Sequence, residues 1–90
     1  NSVRGGHAHK KSWQIHFCFN GKVTINLDDG KNKQKIILDD PSVGLIIGPM
    51  VWHPFVIEKD ALLQVFSSNT YDKNDYIRNY DEFLRHVKNK

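Results

Sequence analysis

The chain has 90 residues and a formal charge of +3, and its 39% hydrophobic and 11% aromatic content predicts one small folded domain rather than a disordered segment. No apolar run approaches the ~20 residues of a membrane-spanning helix, and the lysines are not interleaved with aromatic residues, so neither a membrane nor a nucleic acid is an expected partner. The single cysteine, Cys18, excludes an intrachain disulfide and favours a cytoplasmic protein. Its place in an apolar strand predicts a small buried or half-buried side chain.

Strand patterns occupy the first two thirds of the chain, from about residue 3 to about residue 68. Between Trp13 and Phe19, large apolar residues alternate with other residues at a period of two, and Asn20-Gly21 then predicts a tight hairpin turn. Pro54 interrupts a later segment and predicts an edge or bent strand there. The further predicted strands are 23–27, 36–38, 45–47, 51–57 and 62–66. Short strands joined by tight turns indicate an antiparallel sandwich or barrel.

The pattern changes to helical spacing near the C-terminus. Apolar residues recur three and four positions apart, with charged residues between them: Tyr76, Ile77, Tyr80, Phe83, Leu84 and Val87. We therefore expect one amphipathic helix over about residues 74–88, packed on the sheet or on a partner subunit. Asp72 or Asn74 would cap this helix, and Arg85 suits its last turn.

Two histidines one residue apart form the most informative motif, Arg4-Gly5-Gly6-His7-Ala8-His9. Alternate side chains of an extended strand point to the same face, so both imidazoles can address one small volume. Imidazoles grouped in this way serve proton transfer or metal binding, and Arg4 adds a permanent positive charge. The motif therefore predicts a catalytic or metal-binding site.

The histidine motif continues into a longer pattern with the spacing of the two cupin motifs. In order, its residues are His7-Ala8-His9, Gln14, Gly21, Gly44, Pro49 and His53. The chain thus resembles the cupin superfamily, which implies an all-β, antiparallel jelly roll, or double-stranded β-helix. It departs from the pattern at Val51, where the second motif prefers glycine, and at Gln14, where the usual ligand is a carboxylate. A metal held by the three histidines and Gln14 stays open as an alternative.

A narrower resemblance covers nearly the whole chain. It rests on Arg4 to His9 with Gln14, on Leu27-Asp28-Asp29-Gly30, on Gly48-Pro49 with Trp52, and on the stretch from Tyr71 to Leu84. These blocks are similar to the sugar 3,4-ketoisomerase family, also called WxcM-like, which acts on dTDP-4-keto-6-deoxyglucose in deoxysugar biosynthesis. The resemblance implies an isomerase that moves the keto group between C4 and C3 through an enediol, without cofactor or metal. The family's domain begins upstream of Asn1, so we expect an N-terminally truncated cupin.

The resemblance also implies roles for individual residues. His7 and His9 become the acid/base pair, and which of them is the acid stays open. The fork-shaped guanidinium of Arg4 suits a phosphate or the developing enediolate oxygen. The substrate-binding candidates are Arg4, Gln14, Trp52 and His53, and core packing is the competing explanation for the last two.

The remaining features receive structural roles. We assign His16 to structure, His86 to the surface, and the block from Tyr71 to Leu84 to the scaffold.

A small sheet with exposed edges gains by pairing, so a homodimer is expected. Two other functions stay open: a non-catalytic sugar-nucleotide-binding cupin, and a metal-dependent cupin enzyme that uses His7, His9 and His53.

Overall fold

The computed structural model describes residues 2–4, 6–70 and 72–88, which form antiparallel strands followed by a helix. The strands are β1 (Ser2–Arg4), β2 (Ala8–His9), β3 (Gln14–Asn20), β4 (Val23–Asp28), β5 (Lys33–Leu38), β6 (Gly44–Ile47), β7 (Phe55–Ile57), β8 (Leu62–Ser67) and β9 (Tyr76–Ile77). A 3-10 turn at Lys73–Asp75 precedes β9, and helix α1 covers Tyr80–Lys88. The helical segments of these ranges are too short or too polar to cross a bilayer.

Two larger sheets and one strand pair make up the β-structure. One sheet has the order β1-β7-β4-β5, the other has the order β6-β3-β8, and β2 pairs with β9. Neighbouring strands are antiparallel throughout these sheets. This is the all-β architecture that the alternating sequence pattern predicted.

The main core lies between the two larger sheets. Cys18 from β3 and Ile47 from β6 meet Val23, Ile25 and Leu38 from the opposite sheet, and each is at most 2% exposed. Burying side chains of this size stabilises the fold by roughly 1.5–3 kcal/mol each. The burial of Cys18 confirms the expectation from its strand.

A second cluster attaches the helix to the strand pair. Ala8 of β2, Ile77 of β9 and Phe83 of α1 are fully buried together, and Trp52 packs against them from the segment before β7. Ala8 points into this cluster because it alternates with its two histidine neighbours along the strand. The apolar stripe of α1 therefore supports the strand that carries His9.

Glycines at two turns adopt the left-handed backbone that hairpins require. Gly21 has φ 73° between β3 and β4, and Gly30 has φ 93° between β4 and β5. The side chain of Asp29 accepts the backbone N–H groups of Lys31 and Asn32 and closes the second turn. The first of these turns lies at Asn20-Gly21, where the sequence predicted it.

Strand β3 turns its more polar residues inward. Gln14, His16 and Cys18 are at most 8% exposed, whereas the large apolar residues that alternate with them are more exposed, with Ile15 37% and Phe19 48% exposed. Alternation was correctly read from the sequence, but the period alone does not say which face is buried. His16 therefore lies in the interior, and polar side chains are among its neighbours on the buried face.

Two sequence expectations require correction. The helix begins at Tyr80 and not near residue 74, because Tyr76 and Ile77 pair with β2 and Asn79 accepts the N–H of Glu82 at the helix start. Strand β7 lies between β1 and β4, so the edge position, one of the two alternatives predicted for the Pro54 segment, is wrong. Pro54 directly precedes its first residue, so the missing N–H of proline interrupts no ladder hydrogen bond.

Candidate functional site: a cluster of buried imidazoles

His7 and His9 converge as their spacing predicted. Their ring centroids are 5.1 Å apart in an edge-to-face arrangement. Strand β2 pairs with β9 on one side, and further hydrogen bonds hold the same segment on the other side. There, His53 N donates to His7 O and Met50 N donates to His9 O. The two rings therefore have fixed positions although β2 contains only two residues.

Two further imidazoles join this pair from distant parts of the chain. His53 lies 4.6 Å from His7 and 5.6 Å from His9 between ring centroids, and it is nearly parallel to His9. His16 reaches the group from β3, with its ring 5.7 Å from His53. His9, His16 and His53 are buried, and His7 is half-buried at the solvent side of the cluster.

Burial keeps these imidazoles neutral at physiological pH. It lowers the pKa of His7 to about 4, that of His16 to about 4 and that of His53 to about 3, and neighbouring imidazoles add to each shift. Burial also lowers the pKa of His9, but the carboxylate of Asp75 opposes that shift. A neutral imidazole offers one hydrogen-bond donor and one acceptor, so each ring can accept a proton and can return it from the imidazolium that forms.

Several buried nitrogens of the cluster have no hydrogen-bond partner among the described residues. They are both ring nitrogens of His53, Nε2 of His9 and Nδ1 of His16, and the Nδ1 of His9 also lacks a well-aligned one. Buried polar atoms are normally paired, and an unpaired one costs roughly 1–3 kcal/mol. A concentration of unpaired nitrogens is typical of a site that binds a polar ligand.

The segment before the helix contributes to the site and is not only scaffold. Asp75 Oδ2 lies 3.4 Å from His9 Nδ1, and the Tyr76 ring packs 4.5 Å from the His9 ring. The guanidinium of Arg78 lies over Tyr76, 4.6 Å from its ring centre. Asp75, Tyr76 and Arg78 were not assigned to the site from the sequence, because the helical spacing of apolar residues predicted a helix where the structure has a turn and a strand.

The other predicted site residues, Gln14, Arg4 and Trp52, lie in three different environments. Gln14 lines the cluster and contacts His16, with 2.8 Å between Gln14 Oε1 and His16 Nε2. Arg4 is exposed at the end of β1. Trp52 packs against Tyr80 and Phe83 at 5.3 and 5.7 Å, and its role in substrate binding stays a prediction.

The surface position predicted for His86 is confirmed. Its side chain is 42% exposed on α1, and its Nε2 lies 3.7 Å from Glu82 Oε1. It belongs to a different part of the molecule from the buried histidines.

Two cavities differ in size and in their relation to the histidines. A cavity of about 90 Å³ is lined by His9, Ser12, Asp75 and Tyr76, among others. A larger one, about 520 Å³, lies beside Trp52, with lysines of β5 in its wall. Small-molecule pockets commonly measure ~300–1,000 Å³. The cavity that the described residues form next to His9 is therefore too small to hold a whole sugar nucleotide.

Three of the histidines have the composition of a metal site. The candidate ligand atoms of His7, His9 and His53 all lie within 4.8 Å of one another. Two imidazole nitrogens on one tetrahedral zinc ion are about 3.4 Å apart, so the three rings would have to move closer together to bind such an ion. Gln14, at the usual carboxylate position, already contacts His16, and the trio itself contributes no negative charge.

Comparison with known proteins identifies similar sequences. The family described as FdtA, WxcM-like, C-terminal, matches residues 1–88. The TDP-4-oxo-6-deoxy-alpha-D-glucose-3,4-oxoisomerase of Aneurinibacillus thermoaerophilus is 47% identical over 85 residues, which are 93% of this chain and 61% of that protein. The chain thus spans less than two thirds of this relative.

Solved structures show the same fold. The sugar 3,4-ketoisomerase QdtA of Thermoanaerobacterium thermosaccharolyticum, crystallised with TDP, has a TM-score of 0.95 at 43% identity, covering 99% of this chain and 66% of that one. The TDP-fucose-3,4-ketoisomerase WlaRA of Campylobacter jejuni has a TM-score of 0.90 at 40% identity, covering 98% and 66%. These likenesses confirm the predicted cupin-type antiparallel fold.

Proposed function

Since the chain belongs to the FdtA family of WxcM-like, C-terminal domains, we propose that the protein moves the keto group between C4 and C3 of a dTDP-linked 4-keto-6-deoxy sugar. A relative at 47% identity is named for a 3,4-oxoisomerase of this kind, and a mutant of QdtA has been crystallised with TDP-4-keto-6-deoxyglucose. The observation in this chain that supports the proposal is the converging set of neutral imidazoles whose buried nitrogens lack partners. A neutral ring can accept a substrate proton as a base, and the imidazolium that forms can return a proton as an acid.

The proposed reaction consists of paired proton transfers. A base removes the proton from C3 while the C4 oxygen gains one, which gives an enediol. The O3 hydroxyl then loses its proton as C4 receives one, so that the carbonyl is now at C3. No electrons leave the substrate, and the protein needs only a base that takes the proton from carbon and an acid that returns one.

His7 and His9 are the proposed acid/base pair. They lie closest together in sequence, and their rings are 5.1 Å apart, a spacing that lets both reach neighbouring carbons of one sugar. His7 is half-buried and His9 is 2% exposed, so the pair spans the boundary between solvent and interior. We propose that His53 and Gln14 bind the sugar and that the exposed Arg4 binds phosphate.

The test is conversion of dTDP-4-keto-6-deoxyglucose by the full-length protein, followed by NMR in deuterated water. We expect a 3-keto product and deuterium at C4. Loss of a general acid or base typically reduces the rate by about 10²–10⁴-fold, which is the expected effect of His7→Ala or His9→Ala. His86→Ala is the control, since His86 lies on the exposed side of α1 and should retain full activity. Unchanged isomerisation in a His7/His9 double variant would refute the proposal.

A metal-dependent cupin enzyme is the second candidate, and the His7, His9 and His53 trio is the observation that favours it. Bound metal would act there as a Lewis acid. The two candidates are separated by treating the purified full-length protein with a chelator and measuring metal content and turnover together. Turnover that persists without metal supports proton transfer by histidine alone, and turnover that disappears and returns with metal supports the second candidate.

We propose a homodimer formed through the outer face of the β6-β3-β8 sheet. Large apolar side chains cover this face, with Trp13 53%, Ile46 61% and Phe66 55% exposed. Contiguous apolar surface of this kind marks an interaction site, and a second copy offers a matching surface. Ile46→Asp should convert the dimer to a monomer in light-scattering measurements, whereas Ile37→Asp, on the other sheet and 51% exposed, should not. A monomeric wild type would refute this assembly.

The proposed cellular location is the cytoplasm. The single Cys18 is buried and free, which suits a reducing compartment. Cell fractionation with an antibody to the protein tests this, and recovery outside the cytoplasmic fraction would contradict it.

A further inference from the structure

We infer that Asp75 is a positioning residue for this reaction, which holds the His9 ring and selects the tautomer that has its proton on Nδ1. The inference rests on the proposed function, because it assigns a role within the same site. It concerns a residue of the segment that the sequence pattern assigned to a helix and to the scaffold.

The contact joins a buried histidine to a carboxylate at the border of the interior. Asp75 Oδ2 lies 3.4 Å from His9 Nδ1, and the side chains are 10% and 3% exposed. Hydrogen bonds in catalytic sites are often long before substrate binds and shorten in the complex. No other described carboxylate lies within ion-pair distance of the cluster's histidines, so Asp75 is the available partner for the inner nitrogen of His9.

Asp75 is itself fixed by the loop that follows His9. Its Oδ1 accepts the N–H of Lys11 at 2.7 Å, its Oδ2 accepts the N–H of Ser12 at 3.3 Å, and its backbone carbonyl accepts the N–H of Lys10 at 2.8 Å. Carboxylate and imidazole are therefore anchored to the same short stretch of backbone. This arrangement sets the direction of the carboxylate before any substrate arrives.

The chemical consequence concerns the opposite nitrogen of the ring. A carboxylate can only accept, so it favours the proton on Nδ1 and leaves the lone pair on Nε2. Nε2 of His9 is buried and has no partner among the described residues. The Tyr76 ring packs 4.5 Å from the imidazole and restricts its rotation. Nε2 of His9 is thus the atom presented to accept a substrate proton, and Asp75 stabilises the imidazolium that forms.

Asp75→Asn is the informative substitution, because it preserves size and keeps one oxygen for the backbone N–H groups. Its amide N–H₂ can donate to Nδ1 of His9, which would favour the opposite tautomer and place a proton on Nε2. We expect kcat to fall by about 10²–10⁴-fold while KM changes by less than about threefold. A merely structural role would instead alter KM, expression or folding.

Asp72→Asn is the matched control. Asp72 caps the same 3-10 turn by accepting the N–H of Asn74 at 2.9 Å, but among the described residues it forms no ion pair with a histidine. Asparagine caps about as well as aspartate, so this variant should keep kcat within about twofold. Comparison of the two variants separates an effect on the tautomer of His9 from an effect on the structure of the 3-10 turn.

Nitrogen NMR of the histidine side chains supplies a readout that needs no substrate. The wild-type full-length protein should show His9 with its proton on Nδ1, and Asp75→Asn should shift the proton to Nε2. An unchanged tautomer in Asp75→Asn, or an unchanged kcat, would overturn the inference. If the wild type shows no isomerase activity at all, the proposed function fails, and the tautomer measurement still decides the role of Asp75.

Discussion

Acidification should destabilise the fold through the two most enclosed histidines. His16 and His53 are each 1% exposed, and burial lowers their pKa from 6.5 to about 4 and to about 3. The unfolded chain takes up these protons as the pH falls below 6.5, whereas the folded protein does not, so stability is complete above that pH and decreases below it. Each group contributes about 1.4 kcal/mol per pH unit, so the loss reaches about 4 kcal/mol near pH 5.

The assay is urea unfolding of the full-length protein at a series of pH values between about 7.5 and about 5. Replacing His53 by leucine removes one of the two groups, so the dependence on pH should become shallower by about 1.4 kcal/mol per unit. His86→Gln is the control for replacing a histidine outside the buried cluster, since that side chain is 42% exposed on α1. Equal slopes for wild type and His53→Leu would show that His53 is protonated in the folded state, which would refute the reasoning.

Three further substitutions test the fold around the site. Gly30→Ala should destabilise the protein by about 1–3 kcal/mol in urea unfolding, because φ is 93° there and a Cβ would lie 2.8 Å from a methyl group of Val87. Phe83→Ala should cost about 3–5 kcal/mol in the same assay, since the ring is fully buried between α1 and the strand pair. Tyr80 donates to Asp28 at 2.5 Å, and this bond raises the pKa of the phenol above 10.0, so Asp28→Asn should shift one tyrosine to lower pH in an absorbance titration.

Matched variants control for nonspecific effects of these changes. Gly6→Ala should be nearly neutral, because the new Cβ would meet only Trp52 at an ordinary 3.7 Å. Phe83→Leu should cost clearly less than Phe83→Ala, since it leaves a smaller cavity. A Gly30→Ala variant as stable as wild type, equal losses at Phe83, or an unchanged tyrosine titration would contradict the corresponding prediction.

Local patterns were sufficient to predict most of the strands and one part of the site. Three features depend only on neighbours in sequence. They are the period of two in β3, the glycine turns at Gly21 and Gly30, and the pairing of imidazoles at His7 and His9. Backbone geometry within a few residues determines such features, so they can be read without knowledge of distant contacts.

The rest of the site depends on contacts between distant segments. His16 and Asp75 reach the cluster from β3 and from the turn before β9, and neither was identified from its own neighbourhood. Tyr76 and Ile77 fit a helical stripe in sequence, but pairing with β2 places them in a strand. Tertiary pairing overrode local propensity there, because β2 supplies the hydrogen bonds that an extended backbone needs.

By itself the sequence determined where strands alternate and turn, that His7 and His9 share a face, and which family the chain resembles. Only the tertiary structure decided that β3 faces inward with Gln14 and His16, and that a carboxylate lies against His9. The physical reason is that periodicity specifies two faces of a strand without naming the buried one. Burial follows from sheet packing, and sheet packing joins residues that are far apart along the chain.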